Sequence, residues 1–302
     1  MPHPFYTLDV FTTQRLAGNP LAVVLDAADL DTARMQGIAR EFNLSETVFV
    51  LPPEDASQKA RIRIFTPNFE MPFAGHPTIG TAVLLATLAT NGNPGDDSFV
   101  LGENVGPIAC RTTVVSPTLG RAAFDVAMPP ARIGEIGPRA KLAAALSVPE
   151  SAIGFPGALS GIRPGVFSAG AAFAIVPFAS PEALDAAAPS RGDWPPAFGM
   201  NDRQSVFMVA PTAVPGTYHA RMFAFGRDIY EDPATGSATA AVAALLAEAE
   251  VPGDGSHKRI IQQGYAMGRP SQIELTYHIA NGEMTGATIG GSAILVSQGQ
   301  LL

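Results

Sequence analysis

Two similar loops, each followed by an apolar, alanine-rich segment, contain the residues whose spacing suggests chemistry. The first reads Pro-Phe-Ala-Gly75-His76-Pro-Thr and the second reads Asp232-Pro-Ala-Thr-Gly236-Ser237-Ala. In each loop a glycine at the expected helix start is followed by a polar side chain. The N–H groups and the dipole at a helix start attract anions, and glycine lets a ligand come close to the backbone. The pattern predicts two binding elements for a carboxylate or a similar group.

Each of these residues also has a purely structural interpretation. Taken singly, Gly75 and Gly236 would be ordinary turn glycines. Ser237 would be an N-cap hydroxyl, and Asp232 would be an acid placed at a helix start. Because the pattern occurs twice at one spacing, a functional interpretation is favoured for the two glycine loops. The structural roles of Ser237 and Asp232 can coexist with ligand binding.

Other chemistries lack their usual sequence patterns. The chain contains no Gly-x-x-x-x-Gly-Lys-Ser/Thr, no Gly-x-Gly-x-x-Gly and no Gly-x-Ser-x-Gly. The five histidines show no ligand-pair spacing, and the single cysteine, Cys110, provides neither a disulfide nor a cysteine-based zinc site. We therefore expect no nucleotide cofactor and no metal.

Charge and hydropathy limit the partners. The chain has 27 acidic and 19 basic residues, a formal net charge of −8, which argues against nucleic acid or an anionic membrane as the main partner. The longest apolar stretches are shorter than the roughly 18 residues needed to cross a bilayer. The amino terminus does not resemble a secretory signal. These features predict a cytoplasmic protein that binds a small-molecule carboxylate.

Length and turn residues predict two strand-rich domains. The 302 residues include 30 glycines and 27 prolines, which suits many short strands. Helices that are apolar nearly all round are expected at 75–90 and 236–250, and both should be buried. A Met-Pro-Pro segment at 128–130 favours halves at 1–128 and 129–302. The last strand, 293–296, could pack with the first half instead of the second.

An internal repeat supports this division. Residues 70–86 and 231–247 share 8 of 17 residues without a gap, and upstream Ala60-Arg61 matches Ala220-Arg221. Alanine- and leucine-rich helices match one another by composition, but the Glu-x-Pro-x-x-Gly-x-x-Thr frame is not compositional. The repeat favours a duplicated fold in which each half is a shell of strands around one buried helix.

The motifs together resemble those of the PhzF-like family, named after a phenazine-biosynthesis isomerase. They lie in order along nearly the whole chain, at residues 9–12 (Asp-Val-Phe-Thr), 18–24 (Gly-Asn-Pro-Leu-Ala-Val-Val), 43–49 (Asn-Leu-Ser-Glu-Thr-Val-Phe), 73–80 (Phe-Ala-Gly-His-Pro-Thr-Ile-Gly), 231–238 (Glu-Asp-Pro-Ala-Thr-Gly-Ser-Ala), 263–264 (Gln-Gly) and 268–271 (Gly-Arg-Pro-Ser). The resemblance implies an α+β protein of the diaminopimelate-epimerase-like fold. Its halves would be pseudo-twofold related, each a β-barrel-like shell around a central helix, with the site in the cleft between them.

The resemblance also implies an activity: a cofactor-free, often homodimeric isomerase, similar to trans-2,3-dihydro-3-hydroxyanthranilate isomerase. Glu46 matches the acid/base that moves a proton within the substrate. His76 and Asp232 match polar groups of the cleft. The helix starts that hold the substrate match Gly75, Gly236 and Ser237.

Without the resemblance, the sequence would favour a structural interpretation of Glu46, as a solvated glutamate at the start of a strand. If it is buried among its apolar neighbours, its pKa rises toward neutrality, which suits a group that takes and returns a proton. The thiol pair of related racemases would fall at Ala74 and Thr235, so two-thiol racemisation is excluded. The alternative is a non-catalytic protein that binds a metabolite or a partner on the same fold.

Overall fold

A computed structural model describes residues 2–198, 205–225 and 229–302 of the chain. The chain forms two compact units. Unit 1 comprises Met1–Asp125 together with Gly290–Leu302, and unit 2 comprises Val126–Ile289.

The strands, in chain order, are β1 (His3–Val10), β2 (Asn19–Val24), β3 (Glu46–Leu51), β4 (Gln58–Phe65), β5 (Glu70–Met71), β6 (Gly95–Glu103), β7 (Gly106–Ser116), β8 (Leu119–Asp125), β9 (Ala131–Gly134), β10 (Gly165–Ser168), β11 (Ala172–Pro177), β12 (Ser205–Pro211), β13 (Thr217–Phe225), β14 (Ile229–Asp232), β15 (Gly255–Gln263), β16 (Ser271–Ala280) and β17 (Glu283–Leu301). The helices are α1 (Thr32–Phe42), α2 (Gly75–Ala89), α3 (Arg139–Ala145), α4 (Pro181–Asp185), α5 (Trp194–Phe198) and α6 (Gly236–Glu250).

Unit 1 is a closed barrel around α2. Strand pairing runs through β1, β2, β3, β4, β6, β7 and β8 and returns to β1 through the end of β17. The central helix contacts most of these strands. It is buried on nearly every side, as its composition predicts, because an all-apolar helix has no face to present to water.

Contact between α2 and the barrel wall is close at Gly80. A Cβ at this position would lie 2.6 Å from a methyl carbon of Leu21 and 2.8 Å from one of Val10. The other helix of unit 1, α1, is amphipathic and buries only Met35 and Ala39. Its first turn is capped by Asp31, whose carboxylate accepts a hydrogen bond from the backbone N–H of Arg34 at 2.8 Å.

Unit 2 repeats the plan of strands packed against a buried central helix. Pairing runs through β9, β10, β11, β12, β13, β15, β16 and the first part of β17, and α6 contacts strands at both ends of this row. The helix ends at Glu250, its C-cap residue Val251 adopts a left-handed conformation (φ 46°), and the following proline cannot continue the helix. Ten of the fifteen residues of α6 are buried.

The predicted α+β class is confirmed, and both expected central helices form. One detail differs from the sequence-based expectation. The last strand, predicted at 293–296, is part of a longer continuous strand, β17, which pairs with β1, β8 and β16. Trp194, which is followed by two prolines, begins the short helix α5 and is fully buried beside Phe198.

Candidate active site

Unit 1 brings Glu46 and His76 together. Glu46 is the first residue of β3, which is held between β2 and β4, and His76 is the second residue of α2. The Nε2 atom of His76 lies 3.3 Å from Oε2 of Glu46, and the side chains are 5% and 15% exposed, respectively. The pair is therefore shielded on most sides, but its carboxyl group keeps some access to solvent or to a ligand.

Burial keeps the imidazole of His76 uncharged. Desolvation of the ring lowers its pKa from 6.5 to about 3, because the charged form loses its hydration. A neutral imidazole has one donor nitrogen and one acceptor nitrogen. The Nε2 atom lies 3.3 Å from Oε2 of Glu46, but these two atoms form no hydrogen bond with each other. The pair can thus serve proton transfer without forming an imidazolium.

A second buried carboxyl group, which sequence reasoning missed, lies beside the start of α2. Glu103 is the last residue of β6, and its Oε1 is 2.7 Å from the hydroxyl oxygen of Thr78. The same hydroxyl is 2.8 Å from the carbonyl oxygen of Ala74, the N-cap of α2. Burial raises the pKa of Glu103 to about 8, against the opposing effects of the Thr78 hydrogen bond and the charge of Arg61. Glu103 is therefore mostly protonated at neutral pH.

Unit 2 holds the other predicted site residues around the start of α6. Gly236 and Ser237 are the first two residues of the helix, and Thr235 is its N-cap. Asp232 ends β14, and its Oδ2 accepts a hydrogen bond from the hydroxyl of Thr235 at 2.5 Å. The N-cap interpretation of Ser237 is therefore wrong, because Ser237 lies two residues inside the cap.

Gln263, the last residue of β15, holds the loop between Asp232 and Thr235 in place through its side-chain amide. Its Nε2 donates to the carbonyl of Asp232 at 2.8 Å and to the hydroxyl of Thr235 at 3.0 Å. Its Oε1 accepts the backbone N–H of Thr235 at 3.0 Å. Since a helix leaves the N–H groups of its first turn without intrahelical partners, those of Gly236 and Ser237 are the donors that α6 offers to an anion.

Matching arginine–glutamate pairs define how the two units correspond. In unit 1, Arg63 on β4 pairs with Glu70 at 2.6 Å, and in unit 2, Arg221 on β13 pairs with Glu231 at 2.8 Å. The sequence comparison had instead placed Arg61 opposite Arg221, which is wrong by two residues. Residues two positions apart on a strand point to the same face. An alignment that is wrong by two residues therefore preserves the alternation of buried and exposed positions, and the sequence does not reveal the error.

Register then identifies the counterparts of the site residues. In unit 1, Phe65 of β4 pairs with Thr47, the residue after Glu46. In unit 2, the equivalent Phe223 of β13 pairs with Val206, the residue after Ser205. Ser205 is therefore the counterpart of Glu46. His76 and Ser237 are the second residues of their helices. Glu103 and Gln263 each end the strand that pairs in parallel with β4 or β13. Unit 1 thus carries ionisable side chains where unit 2 carries neutral ones.

Asp232 is the exception, because here the ionisable side chain lies in unit 2. Asp232 follows the paired glutamate Glu231, and the residue that follows the equivalent Glu70 in unit 1 is Met71. Ala74 and Thr235, the positions that the sequence resemblance matched to racemase thiols, are the N-caps of the two central helices. Cys110 lies on β7, buried, and desolvation raises the pKa of its thiol to about 12.

Within residues 2–198, 205–225 and 229–302, no group of three or more histidine, cysteine, aspartate or glutamate side chains is arranged to hold a metal ion. No helix in the described part of the chain is both long enough and apolar enough to cross a membrane.

Comparison with known proteins gives consistent matches over the whole chain. The model of the family described as phenazine biosynthesis-like protein matches residues 8–299. An uncharacterized isomerase of Mesorhizobium japonicum is 46% identical, over 97% of this chain and 96% of its own length. Trans-2,3-dihydro-3-hydroxyanthranilate isomerase of Pseudomonas fluorescens is 32% identical, over 99% of both chains.

A solved structure agrees with these matches at the level of the fold. The crystal structure of a PhzF family phenazine biosynthesis protein from Bacillus anthracis superposes with a TM-score of 0.86 at 23% identity, covering 100% of this chain and 99% of the other.

Proposed function

Because this chain belongs to the phenazine biosynthesis-like protein family and is related to its isomerases, as the motifs predicted, we propose that it moves a proton between carbons of a small carboxylated metabolite without a cofactor. The observation that carries the proposal is the contact between Glu46 and His76 at the start of α2. A substrate similar to trans-2,3-dihydro-3-hydroxyanthranilate is proposed from the relationship.

Glu46 is proposed to take the proton from one carbon and return it to another. General acid–base catalysis of this kind typically accelerates a step by about 10²- to 10⁴-fold. His76, neutral because it is buried, is proposed to orient the carboxylate of Glu46, which its Nε2 approaches to 3.3 Å, by donating a hydrogen bond to it when substrate is bound. Because the same carboxyl group receives and gives the proton, no external base is needed between the two steps.

Unit 2 is proposed to supply the binding groups. The N–H groups of Gly236 and Ser237 and the hydroxyl of Ser237 would bind a carboxylate, helped by the dipole of α6. Asp232 is proposed to contact a polar or basic group of the substrate, in an orientation set by its hydrogen bond from Thr235. A chain of net charge −8 would in this way bind an anion through local groups.

Substitution of Glu46 tests the proposal. Glu46→Gln keeps the size of the side chain and removes its acid. The control is Glu41→Gln, the same change at an exposed position in α1. With trans-2,3-dihydro-3-hydroxyanthranilate in D₂O, NMR follows product formation and deuterium bound to carbon. We expect turnover to fall by about 10²-fold or more in Glu46→Gln only.

Two outcomes would contradict the proposal. Near-native turnover in Glu46→Gln would remove the role of Glu46. Saturable binding of the compound by the unmodified chain, with neither product nor deuterium incorporation, would favour the non-catalytic metabolite-binding protein. A homodimer and a cytoplasmic location stay predictions, and sedimentation of the 31.4 kDa chain tests the first.

A further inference from the structure

The buried carboxyl group of Glu103 has no part in the acid–base pair described above. Its residue is 5% exposed. Its Oε2 has no hydrogen-bond partner among the described residues, and its Oε1 contacts the hydroxyl of Thr78. An ionised carboxylate with one buried oxygen left unsatisfied is costly, whereas a protonated carboxyl needs less solvation.

The Thr78 hydroxyl has one proton and two close neighbours. A backbone carbonyl can only accept a hydrogen bond, so while the hydroxyl donates to the oxygen of Ala74 at 2.8 Å, its proton is not available to Glu103. In that arrangement the 2.7 Å contact with Glu103 is donated by a protonated carboxyl group, and the hydroxyl donates to Glu103 only when it turns away from Ala74. If Glu103 ionises, the hydroxyl has to turn toward it. The carbonyl of Ala74 then keeps only the longer bond from the backbone N–H of Thr78, at 3.3 Å.

This hydroxyl links the charge of Glu103 to the start of α2. Ala74 immediately precedes Gly75 and His76, so a change at its carbonyl acts on the turn that holds the imidazole against Glu46. We propose that Glu103, in its protonated form, is a positioning residue that fixes this turn through Thr78, and that its ionisation releases the turn. The consequence for turnover rests on the proposed isomerase function, whereas the coupling itself does not.

Unit 2 supports this assignment with a side chain that cannot ionise. Gln263, at the position equivalent to Glu103, is an amide of the same size and shape as a protonated glutamate. It holds the corresponding turn directly, through three hydrogen bonds to Asp232 and Thr235. Both units therefore use a neutral group at the end of the same strand to fix the start of the central helix, but only in unit 1 can that group acquire a charge.

The charged groups around Glu103 do not reverse its preference for the protonated form. The charged or titratable residues on the adjacent elements are Lys59, Arg61 and Arg63 on β4, Cys110 and Arg111 on β7, and His76 on α2. The charge of Arg61 favours the ionised carboxylate, but desolvation outweighs it and raises the pKa of Glu103 to about 8. Cys110 and His76 are both neutral at that pH, since their pKa values are about 12 and about 3.

Three variants of the full chain test the coupling. Glu103→Gln keeps a neutral donor toward Thr78, and Glu103→Leu removes the polar contact. Asp97→Asn changes an exposed acid on the same strand, β6, and serves as the control. NMR follows the backbone amides of Ala74, Gly75 and His76 from about pH 6 to about pH 9.5. Turnover of trans-2,3-dihydro-3-hydroxyanthranilate is measured over the same range.

We expect the amide signals to titrate with a midpoint near the pKa of about 8 in the unmodified chain and in Asp97→Asn, and to stay constant in Glu103→Gln. Turnover should fall about 10- to 100-fold above that pH in the unmodified chain, persist in Glu103→Gln, and be low at every pH in Glu103→Leu. Amides that do not titrate, or that titrate equally in Glu103→Gln, would overturn the proposal. Titrating amides without turnover in the unmodified chain would support the coupling and contradict only the isomerase function.

Discussion

The protonated state of Glu103 predicts how the stability of unit 1 changes with pH. The folded chain raises the pKa of this carboxyl from 4.5 to about 8, so between these values the unfolded chain ionises while the folded chain keeps its proton. Its contribution to stability is complete below about pH 4.5 and is lost as pH rises through about 8. At about 1.36 kcal/mol per pKa unit, the full loss approaches 5 kcal/mol.

Glu103→Gln removes this proton linkage and keeps a neutral side chain in place. Its free energy of unfolding should therefore rise relative to that of the unmodified chain as pH increases, by about 3 kcal/mol between about pH 5.5 and about pH 8.5. Other groups titrate in the same range, but they do so in both proteins and cancel in the difference.

The assay is urea denaturation of both proteins at four or five pH values, followed by fluorescence and circular dichroism. Asp97→Asn, on the exposed part of β6, should track the unmodified chain. A difference between Glu103→Gln and the unmodified chain that stays within about 0.5 kcal/mol at every pH would mean that Glu103 is ionised in the folded protein. The inference that a protonated Glu103 donates to the Thr78 hydroxyl would then be wrong as well.

Three further predictions concern packing, ion pairs and binding. Arg221→Ala should cost about 3–5 kcal/mol in a denaturation assay, because this buried guanidinium donates to Glu231 and to three backbone carbonyls. Arg111→Ala, at a half-exposed pair, should cost less than about 1 kcal/mol. Gly80→Ala should lower the melting temperature by forcing a Cβ against the barrel wall, at about 1–3 kcal/mol. Gly37→Ala, in the open on α1, should raise stability by about 0.5–1 kcal/mol. Ser237→Ala should raise the KM for a carboxylate substrate about 2- to 10-fold with a smaller effect on kcat, as expected for one lost hydrogen bond.

The central helices could be predicted to within about one residue because their signals are local. Apolar residues on all sides indicate a buried helix, and α2 and α6 both begin at the glycine that the loop pattern marks. The strands β6 and β15 were missed because their first halves are polar and exposed. Only their last residues enter the core, and such a strand has no alternation for sequence reasoning to detect.

Glu103 was missed for a related reason. A glutamate followed by Asn-Val-Gly at the end of a hairpin strand has the sequence of a solvated turn. Nothing local indicates that α2, which lies earlier in the chain, covers it. The available signal was distant: Glu103 lies 160 residues before Gln263, close to the spacing of the repeat. Gln263 belongs to the Gln-Gly motif at 263–264, so its spacing from Glu103 predicts that this glutamate lies at the equivalent place in unit 1.

The correspondence between the units also bears on which chemistry the fold can perform. A two-base racemase needs an acid or base on each face of the substrate carbon. At the positions that would hold the thiols this chain has Ala74 and Thr235, neither of which ionises near neutral pH. The counterpart of Glu46 in unit 2 is Ser205. The carboxylate of Asp232 is engaged by the hydroxyl of Thr235. In the proposed mechanism, proton removal and proton return therefore both fall to Glu46. For the proposed function this asymmetry favours transfer of a proton between two carbons of an unsaturated carboxylate over inversion at a single carbon, which needs a second acid or base.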